Sequence, residues 1–146
     1  MHIYLLTVLL LLSYSVSAQQ QDICTGIRIT SPTEENLRWT AGQCYQVSYD
    51  LASVAPFFDI DGAGGKAKIS VDVYSAETNA KVSNVVEKES LNTLGATKTF
   101  SMEVPITGSY YYLITLFHGT GDEQCEPKRS VTFEVNVNPY SPQAKC

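Results

Sequence analysis

The chain has 146 residues, of which 44% are hydrophobic and 17% are charged, and its formal net charge at pH 7 is −5. This size suits one domain with its own hydrophobic core. The acidic balance lacks the basic surface of a nucleic-acid-binding protein and does not favour an anionic lipid surface, so neither is an expected partner.

The N-terminal residues have the layout of a secretory signal. Residues 5–12 form an apolar run, which is shorter than the about 20 apolar residues that a membrane span needs. The small-residue pattern Val16-Ser17-Ala18 predicts cleavage after Ala18, with residues 1–18 as the signal peptide. The alternative is an uncleaved buried helix. Because no second apolar segment follows, we expect a secreted protein, extracellular or associated with a cell wall, without a membrane span.

Four cysteines follow the predicted signal: Cys24, Cys44, Cys125 and Cys146. An even number of cysteines in an exported chain predicts two disulfides. The sequence contains no C-x-x-C pair, so we predict neither a structural zinc site nor a redox motif, and no cofactor is expected.

Beyond the signal, apolar and polar residues alternate with a period of two. Strict alternation buries one face of a strand and leaves the other in water, as in antiparallel sheets. Turn-forming residues separate the runs, and no stretch has the period and caps of a helix. The predicted strands lie near residues 27–29, 44–50, 67–75, 81–87, 100–104, 110–117 and 131–137.

About seven short strands in one small domain are typical of a Greek-key sandwich. We therefore predict an all-β fold, an immunoglobulin/fibronectin-III-like antiparallel sandwich, with a small barrel as the alternative. The sandwich is assigned to residues 19–138, and residues 139–146 are assigned to a C-terminal tail.

The immunoglobulin-like strand order suggests how the cysteines pair. In that order the first strand begins at the end of the sandwich where the last hairpin turns. Cys24 precedes the first strand and Cys125 lies in that hairpin loop, which predicts a Cys24–Cys125 disulfide. Cys44 opens the second strand and Cys146 follows the last one at the opposite end, which predicts a Cys44–Cys146 disulfide.

Several segments resemble a known fungal domain. They are residues 27–33 (IRITSPT), 39–42 (WTAG), 45–49 (YQVSY), 100–105 (FSMEVP), 108–112 (GSYYY) and 130–135 (SVTFEV). In this order they resemble the Kre9/Knh1-like N-terminal domain of yeast cell-wall synthesis proteins. The resemblance covers residues 27–137, nearly the whole predicted mature chain.

The resemblance implies a secreted or wall-associated fungal protein that takes part in cell-wall organisation and β-1,6-glucan assembly, with no catalytic residues. Many relatives continue into a Ser/Thr-rich stalk and a lipid-anchor signal, whereas this sequence ends at Cys146. Tyr49 stands where the family usually has Trp, and the four cysteines are an addition. The expected partner is cell-wall polysaccharide (β-glucan) or another secreted protein. The alternative function is a secreted interaction module or an effector that recognises a host or surface component.

The residues themselves offer little catalytic chemistry. His118 is the only histidine after the signal, no G-x-S-x-G elbow accompanies it, and it is interpreted as a surface-loop residue. The carboxylate pairs Glu34-Glu35 and Asp122-Glu123 lie in loop sequence rather than across a cleft. Residues 59–65 (DIDGAGG) resemble the start of a calcium loop, but the carboxylate that closes such a loop is missing at Ser70. We therefore predict no enzyme and no metal site.

The strand at residues 110–117 carries the most informative pattern. If its even-numbered residues face the core, then Tyr111, Leu113 and Phe117 stand on the face expected to be in water. Exposed aromatic and apolar groups of this kind anchor sugars or protein partners, which makes these three residues a candidate binding surface. The alternative is that a neighbouring loop, residues 56–58, covers them. Trp39 is expected to close the bottom of the core.

Overall fold

The computed structural model describes residues 23–51, 67–90, 95–118 and 123–146. The predicted signal peptide at 1–18 and the calcium-like segment at 59–65 lie outside the described residues, as do residues 56–58. Across the described ranges, no helix combines the length and the apolar character that would let it cross a membrane.

Two sheets form the fold. After a short 3₁₀ turn at Ile23–Gly26, the strands in chain order are β1 Arg28–Ser31, β2 Arg38–Thr40, β3 Cys44–Asp50, β4 Lys68–Ser75, β5 Lys81–Ser90, β6 Gly95–Ser101, β7 Gly108–His118, β8 Glu123–Gln124, β9 Lys128–Arg129 and β10 Phe133–Asn136. One sheet has the order β1-β3-β6. The other has seven strands, with the order β2-β10-β7-β4-β5 and with β8 and β9 paired to β7.

This arrangement is the predicted all-β, immunoglobulin-like sandwich. Every pair of neighbouring strands is antiparallel except β2 and β10, which run parallel at one edge of the seven-stranded sheet. The three short strands β8, β9 and β10 follow one another along the same side of β7, so the last strand of the sandwich is broken into segments. The ten strands of the described residues exceed the about seven expected from alternation because β8 and β9 are such segments and because the short strand β2 was not predicted.

The core lies between the two inner faces and follows the predicted alternation closely. On β7 the inward residues Tyr110, Tyr112, Ile114 and Leu116 are at most 2% exposed. They belong to the same buried cluster as Val47 on β3, whose side chain is fully buried. Full burial of an aliphatic or aromatic side chain contributes about 1.5–3 kcal/mol, so this cluster between the two sheets is a main source of stability.

The sequence placed one strand wrongly. It predicted a strand at 100–104, whereas β6 spans Gly95–Ser101 and Met102 lies beyond its end, fully buried and hydrogen-bonded through its backbone to Gln43. The register pairs Lys98 with Val47, so a lysine occupies an inward position of this edge strand. Its Nζ reaches Glu89 on β5, 2.6 Å away, across the open side of the sandwich. Because this lysine replaces an apolar residue on the inward face, the alternation of apolar and polar residues does not reveal the strand.

Both disulfides join the cysteines that the strand order suggested. Cys24 is bonded to Cys125, with Cα atoms 5.2 Å apart, and Cys44 is bonded to Cys146, with Cα atoms 5.7 Å apart. The bonds lie at opposite ends of the sandwich, because Cys24 precedes β1 and Cys44 begins β3, which is antiparallel to β1. Among the described residues no cysteine is free.

Candidate ligand-binding groove on the seven-stranded sheet

An open groove crosses the outer face of the seven-stranded sheet where β2, β10 and the start of β7 lie side by side. Its volume is about 640 Å³, within the range of about 300–1,000 Å³ that is typical of small-molecule sites. We call it the groove; its lining residues are Arg38, Trp39, Thr40, Glu77, Thr107, Gly108, Ser109, Glu134, Val135 and Asn136.

Strand register places the first row of polar groups across the groove. Glu134 pairs with Arg38 on one side and with Ser109 on the other, so these three side chains lie on the same face of the sheet. The Arg38 Nε is 3.2 Å from a Glu134 carboxylate oxygen, and the two side chains are 83% and 62% exposed. An ion pair this exposed adds little stability, about 0–1 kcal/mol, and its charged groups remain accessible to a ligand.

A second polar row lies one step further along the strands. Asn136 pairs with Thr40, and the Thr107 hydroxyl donates a hydrogen bond of 3.2 Å to the Asn136 side-chain oxygen. The same hydroxyl accepts a 2.8 Å bond from the backbone N–H of Val137. These bonds fix the amide plane of Asn136 without using its two N–H donors.

Trp39 borders the groove, but its side chain points into the core. Its ring stacks on Tyr45 and packs on Phe133, with both centroid distances 4.3 Å. The Tyr45 hydroxyl accepts a 2.7 Å bond from the backbone N–H of Thr40, which ties β2 to this aromatic cluster. Trp39 is half-buried, and it pairs with the fully buried Val135, so its indole lies on the inner face of the sheet, where it borders the groove.

Glu77 stands at the rim of the groove, in the turn that joins β4 to β5. The backbone N–H of Ala76 bonds to the Ser109 carbonyl at 2.8 Å and holds this turn against β7. Burial raises the pKa of the Tyr110 phenol, and the negative charge of Glu77 acts in the same direction. The groove therefore contains two carboxylates and one guanidinium.

The predicted binding surface lies further along the same outer face, and the structure corrects it at Tyr111. This side chain is only 5% exposed. Its ring packs beside Tyr74 on the neighbouring strand, with centroids 5.7 Å apart, and its hydroxyl bonds to Asn79. The guanidinium of Arg129 lies over the ring, with Cζ 3.7 Å from the centroid. Tyr111 is therefore not an open anchor.

The other two residues of that surface are half-buried. Leu113 pairs with Arg129, and Phe117 has the Lys88 ammonium 4.8 Å above its ring centroid. Long cationic side chains, Arg129 from the neighbouring β9 and Lys88 from β5 beyond β4, lie over this part of β7. The alternative prediction was that residues 56–58 cover this surface. Among the described residues, the side chains that lie over it are those of Arg129, Tyr74 and Lys88.

His118 lies away from the groove, at the far end of β7, where the sequence suggested only a surface loop. One of its ring nitrogens and the sulfurs of Cys24 and Cys125 all lie within 4.8 Å of one another. Its Nδ1 is 3.3 Å from a Glu123 carboxylate oxygen. Among the described residues, Cys24, His118 and Cys125 form the group that could hold a metal ion, provided that the disulfide between the two cysteines is reduced.

Sequence reasoning missed the groove entirely. Arg38, Glu134 and Asn136 are ordinary polar residues on the wet side of short strands, and many such residues line no site. Their juxtaposition depends on the parallel pairing of β2 with β10, which no local pattern encodes. The one available signal was the pair Arg38-Trp39 on so short a strand, with a large aromatic beside an exposed charge.

Comparisons with known proteins give no family. No family model matches the chain, and no curated protein matches it. Among solved structures, it is similar to the soluble domain of PmoD from Methylocystis sp. (Rockwell), with 13% identity, a TM-score of 0.41, and coverage of 75% of this chain and 90% of that one. It is also similar to the superoxide reductase neelaredoxin from Ignicoccus hospitalis, with 14% identity, a TM-score of 0.35, and coverage of 77% and 80%. Likenesses this distant carry no inference about activity.

Proposed function

We propose that this chain is a non-enzymatic secreted protein that binds β-glucan in the groove and acts in the organisation of the fungal cell wall. The observation that carries the proposal is the groove itself: about 640 Å³ in volume, open to solvent, and lined mainly by polar residues of β2, β10 and β7. Its fungal setting rests on the sequence resemblance described above.

The chemistry of the lining suits a polymer rich in hydroxyl groups. Planar side chains such as the Arg38 guanidinium, the Glu134 carboxylate and the Asn136 amide can each exchange two hydrogen bonds with neighbouring hydroxyls of a sugar ring. An open groove, unlike a closed pocket, accommodates a chain that continues in both directions.

Charge favours a neutral polysaccharide over an anionic one. The protein carries a net charge of −5. Within the groove, the two carboxylates of Glu77 and Glu134 outnumber the one guanidinium of Arg38. A polyanion approaching this face meets repulsion, whereas β-glucan has no charge to be repelled.

The disulfides support the extracellular setting. Two disulfides in one small domain indicate folding in an oxidising compartment, as in the secretory pathway. Association with the wall in particular belongs to the proposal.

The groove also lacks the arrangement of a glycosidase. Such an enzyme needs a general acid held in a dry, low-dielectric pocket opposite a second carboxyl group. Glu77 and Glu134 are both exposed, and Glu134 is paired with Arg38. The groove therefore suits binding without hydrolysis.

The test is binding of the mature chain to a panel of β-1,3-glucan, β-1,6-glucan, chitin and chitosan. We expect retention on β-glucan that changes little with salt, because the ligand is neutral. Retention on chitosan alone, lost at high salt, would instead indicate charge attraction. Binding to none of the four would overturn the proposal and favour the secreted interaction module.

A matched pair of variants assigns the binding to the groove. Asn136→Ala removes an amide from the groove. Gln46→Ala removes an amide from an exposed position on β3, where the Gln46 side chain donates a hydrogen bond to Thr99. We expect the first to weaken β-glucan binding about tenfold and the second to leave it unchanged. Equal effects of the two substitutions would place the binding elsewhere.

A further inference from the structure

The end of the sandwich opposite the groove brings together three residues that are far apart in sequence. Ligand atoms of Cys24, His118 and Cys125 lie within 4.8 Å of one another. Cys125 is 2% exposed, and the His118 side chain is 24% exposed. The 11-residue strand β7 separates this cluster from the groove by roughly 30 Å, at about 3.3 Å per residue.

The backbone holds the three residues firmly. His118 ends β7 and pairs with Glu123, so β7 and β8 fix the positions of the histidine and of the cysteine that follows β8. The N–H of Cys125 bonds to the Leu116 carbonyl at 2.9 Å. Cys24 comes from the 3₁₀ turn before β1 and packs against the core. The cluster therefore does not depend on its disulfide alone for its geometry.

Glu123 lies beside His118, where its carboxylate can orient the imidazole. Its carboxylate lies 3.3 Å from Nδ1. When Nδ1 carries the imidazole hydrogen and donates it to this carboxylate, Nε2 is left unprotonated as the donor atom. A carboxylate behind a histidine in this way is the usual support of a metal-bound imidazole.

We propose that the cluster is a redox-gated site for a thiophilic transition-metal ion, with Cys24, Cys125 and His118 as ligands and Glu123 as the residue that positions the histidine. Two thiolates and one imidazole are the donor set that Zn²⁺ and similar soft ions select. In the oxidised state the two sulfurs are bonded to each other and cannot bind the metal. In the reduced state the same sulfurs become its ligands.

The gating step balances with a dithiol as reductant. The dithiol transfers two electrons and two protons to the Cys24–Cys125 bond, is itself oxidised to a disulfide, and leaves two thiols in the protein. Binding of a divalent ion then displaces both thiol protons to solvent, so that two thiolates coordinate the metal. Re-oxidation expels the ion.

The second disulfide provides an internal control. Cys44 and Cys146 are bonded to each other just as Cys24 and Cys125 are, with similar sequence separations of 102 and 101 residues. Yet among the described side chains, no histidine or carboxylate joins them in a group that could hold a metal. Any dithiol can bind a soft metal weakly, so the contrast between the two pairs isolates the contribution of the histidine.

The test compares two double variants of the mature chain after reduction by a water-soluble phosphine, which takes an oxygen atom from water and leaves the protein thiols free. Cys44→Ser/Cys146→Ser keeps the proposed site, and Cys24→Ser/Cys125→Ser keeps only the other pair. Each is titrated with Co²⁺, followed by the sulfur-to-cobalt charge-transfer bands and the visible bands of tetrahedral cobalt, and then with Zn²⁺ as competitor. Circular dichroism monitors the fold throughout.

We expect the first variant to bind one ion per chain, at least about tenfold more tightly than the second. Adding His118→Asn or Glu123→Gln to the first variant should weaken binding about tenfold or more, and His118→Asn should also change the visible cobalt bands. If reduction unfolds the first variant, metal should restore the fold, because binding is coupled to folding. Equal affinities of the two pairs, or binding unaffected by His118→Asn, would overturn the proposal.

Discussion

The guanidinium of Arg129 covers the ring of Tyr111, with its Cζ 3.7 Å from the ring centroid. Arg129 belongs to β9 and pairs with Leu113, so its side chain leans diagonally across the outer face of β7. This contact turns the residue that the sequence marked as an open anchor into a structural one.

We expect Tyr111→Ala to lower the free energy of unfolding by about 3–5 kcal/mol, the cost of truncating a buried aromatic residue. Arg129→Ala should cost about 1 kcal/mol, since it removes the cation–π contact but leaves the ring packed beside Tyr74. Urea denaturation measures both. Tyr140→Ala is the control, because Tyr140 is 92% exposed and its loss should change stability by less than about 0.5 kcal/mol. Equal effects of Tyr111→Ala and Tyr140→Ala would contradict the burial of Tyr111.

The hydroxyl of Tyr112 is buried and has no hydrogen-bond partner among the described residues. Burying an unsatisfied hydroxyl costs about 1–3 kcal/mol. Tyr112→Phe removes that hydroxyl and keeps the ring contacts with Phe100 and Phe133, so we expect it to raise the free energy of unfolding by about 1 kcal/mol. A loss of stability, measured by the same denaturation, would show that the hydroxyl has a favourable partner.

Because of the same phenol, we expect the free energy of unfolding to depend on pH in the alkaline range. Burial raises the pKa of Tyr112 above its ordinary value of 10.0, and the nearby Tyr45 acts in the same direction. Below pH 10 the phenol is neutral in both the folded and the unfolded chain, so its ionisation does not lower the free energy of unfolding. Above pH 10 it ionises first in the unfolded chain, so stability falls by up to about 1.4 kcal/mol per pH unit. Denaturation at pH 9 and pH 11 should show a smaller fall for Tyr112→Phe than for the wild type, and identical falls would contradict this assignment.

Each disulfide should contribute strongly to stability. The bonds close loops with sequence separations of 101 and 102 residues, and constraining an unfolded chain over about 100 residues stabilises the fold by roughly 4–5 kcal/mol. We expect Cys24→Ser/Cys125→Ser and Cys44→Ser/Cys146→Ser to lower the free energy of unfolding by similar amounts of this order. A melting temperature unchanged by removal of either bond would contradict the estimate for that bond.

The sandwich fold and the pairing of the cysteines could be predicted from the sequence. Alternation along β3, β4 and β7 identified the inward residues, such as Val47 and Tyr112, because the period of two is a property of each strand alone. The cysteine pairs followed from the strand order, since Cys24 and Cys44 begin antiparallel strands whose starts lie at opposite ends. These features depend on local pattern and on topology.

The features that depend on which strands become neighbours could not be predicted in this way. Alternation could not show that Lys98 points inward towards Glu89, or that Arg129 covers Tyr111, because the partner in each case lies on another strand. The groove exists because β2 runs beside β10, and the cluster at the far end exists because His118 ends its strand next to the Cys24–Cys125 bond. A sequence specifies faces through local periodicity, whereas a binding site is made by side chains that only the register of paired strands brings together.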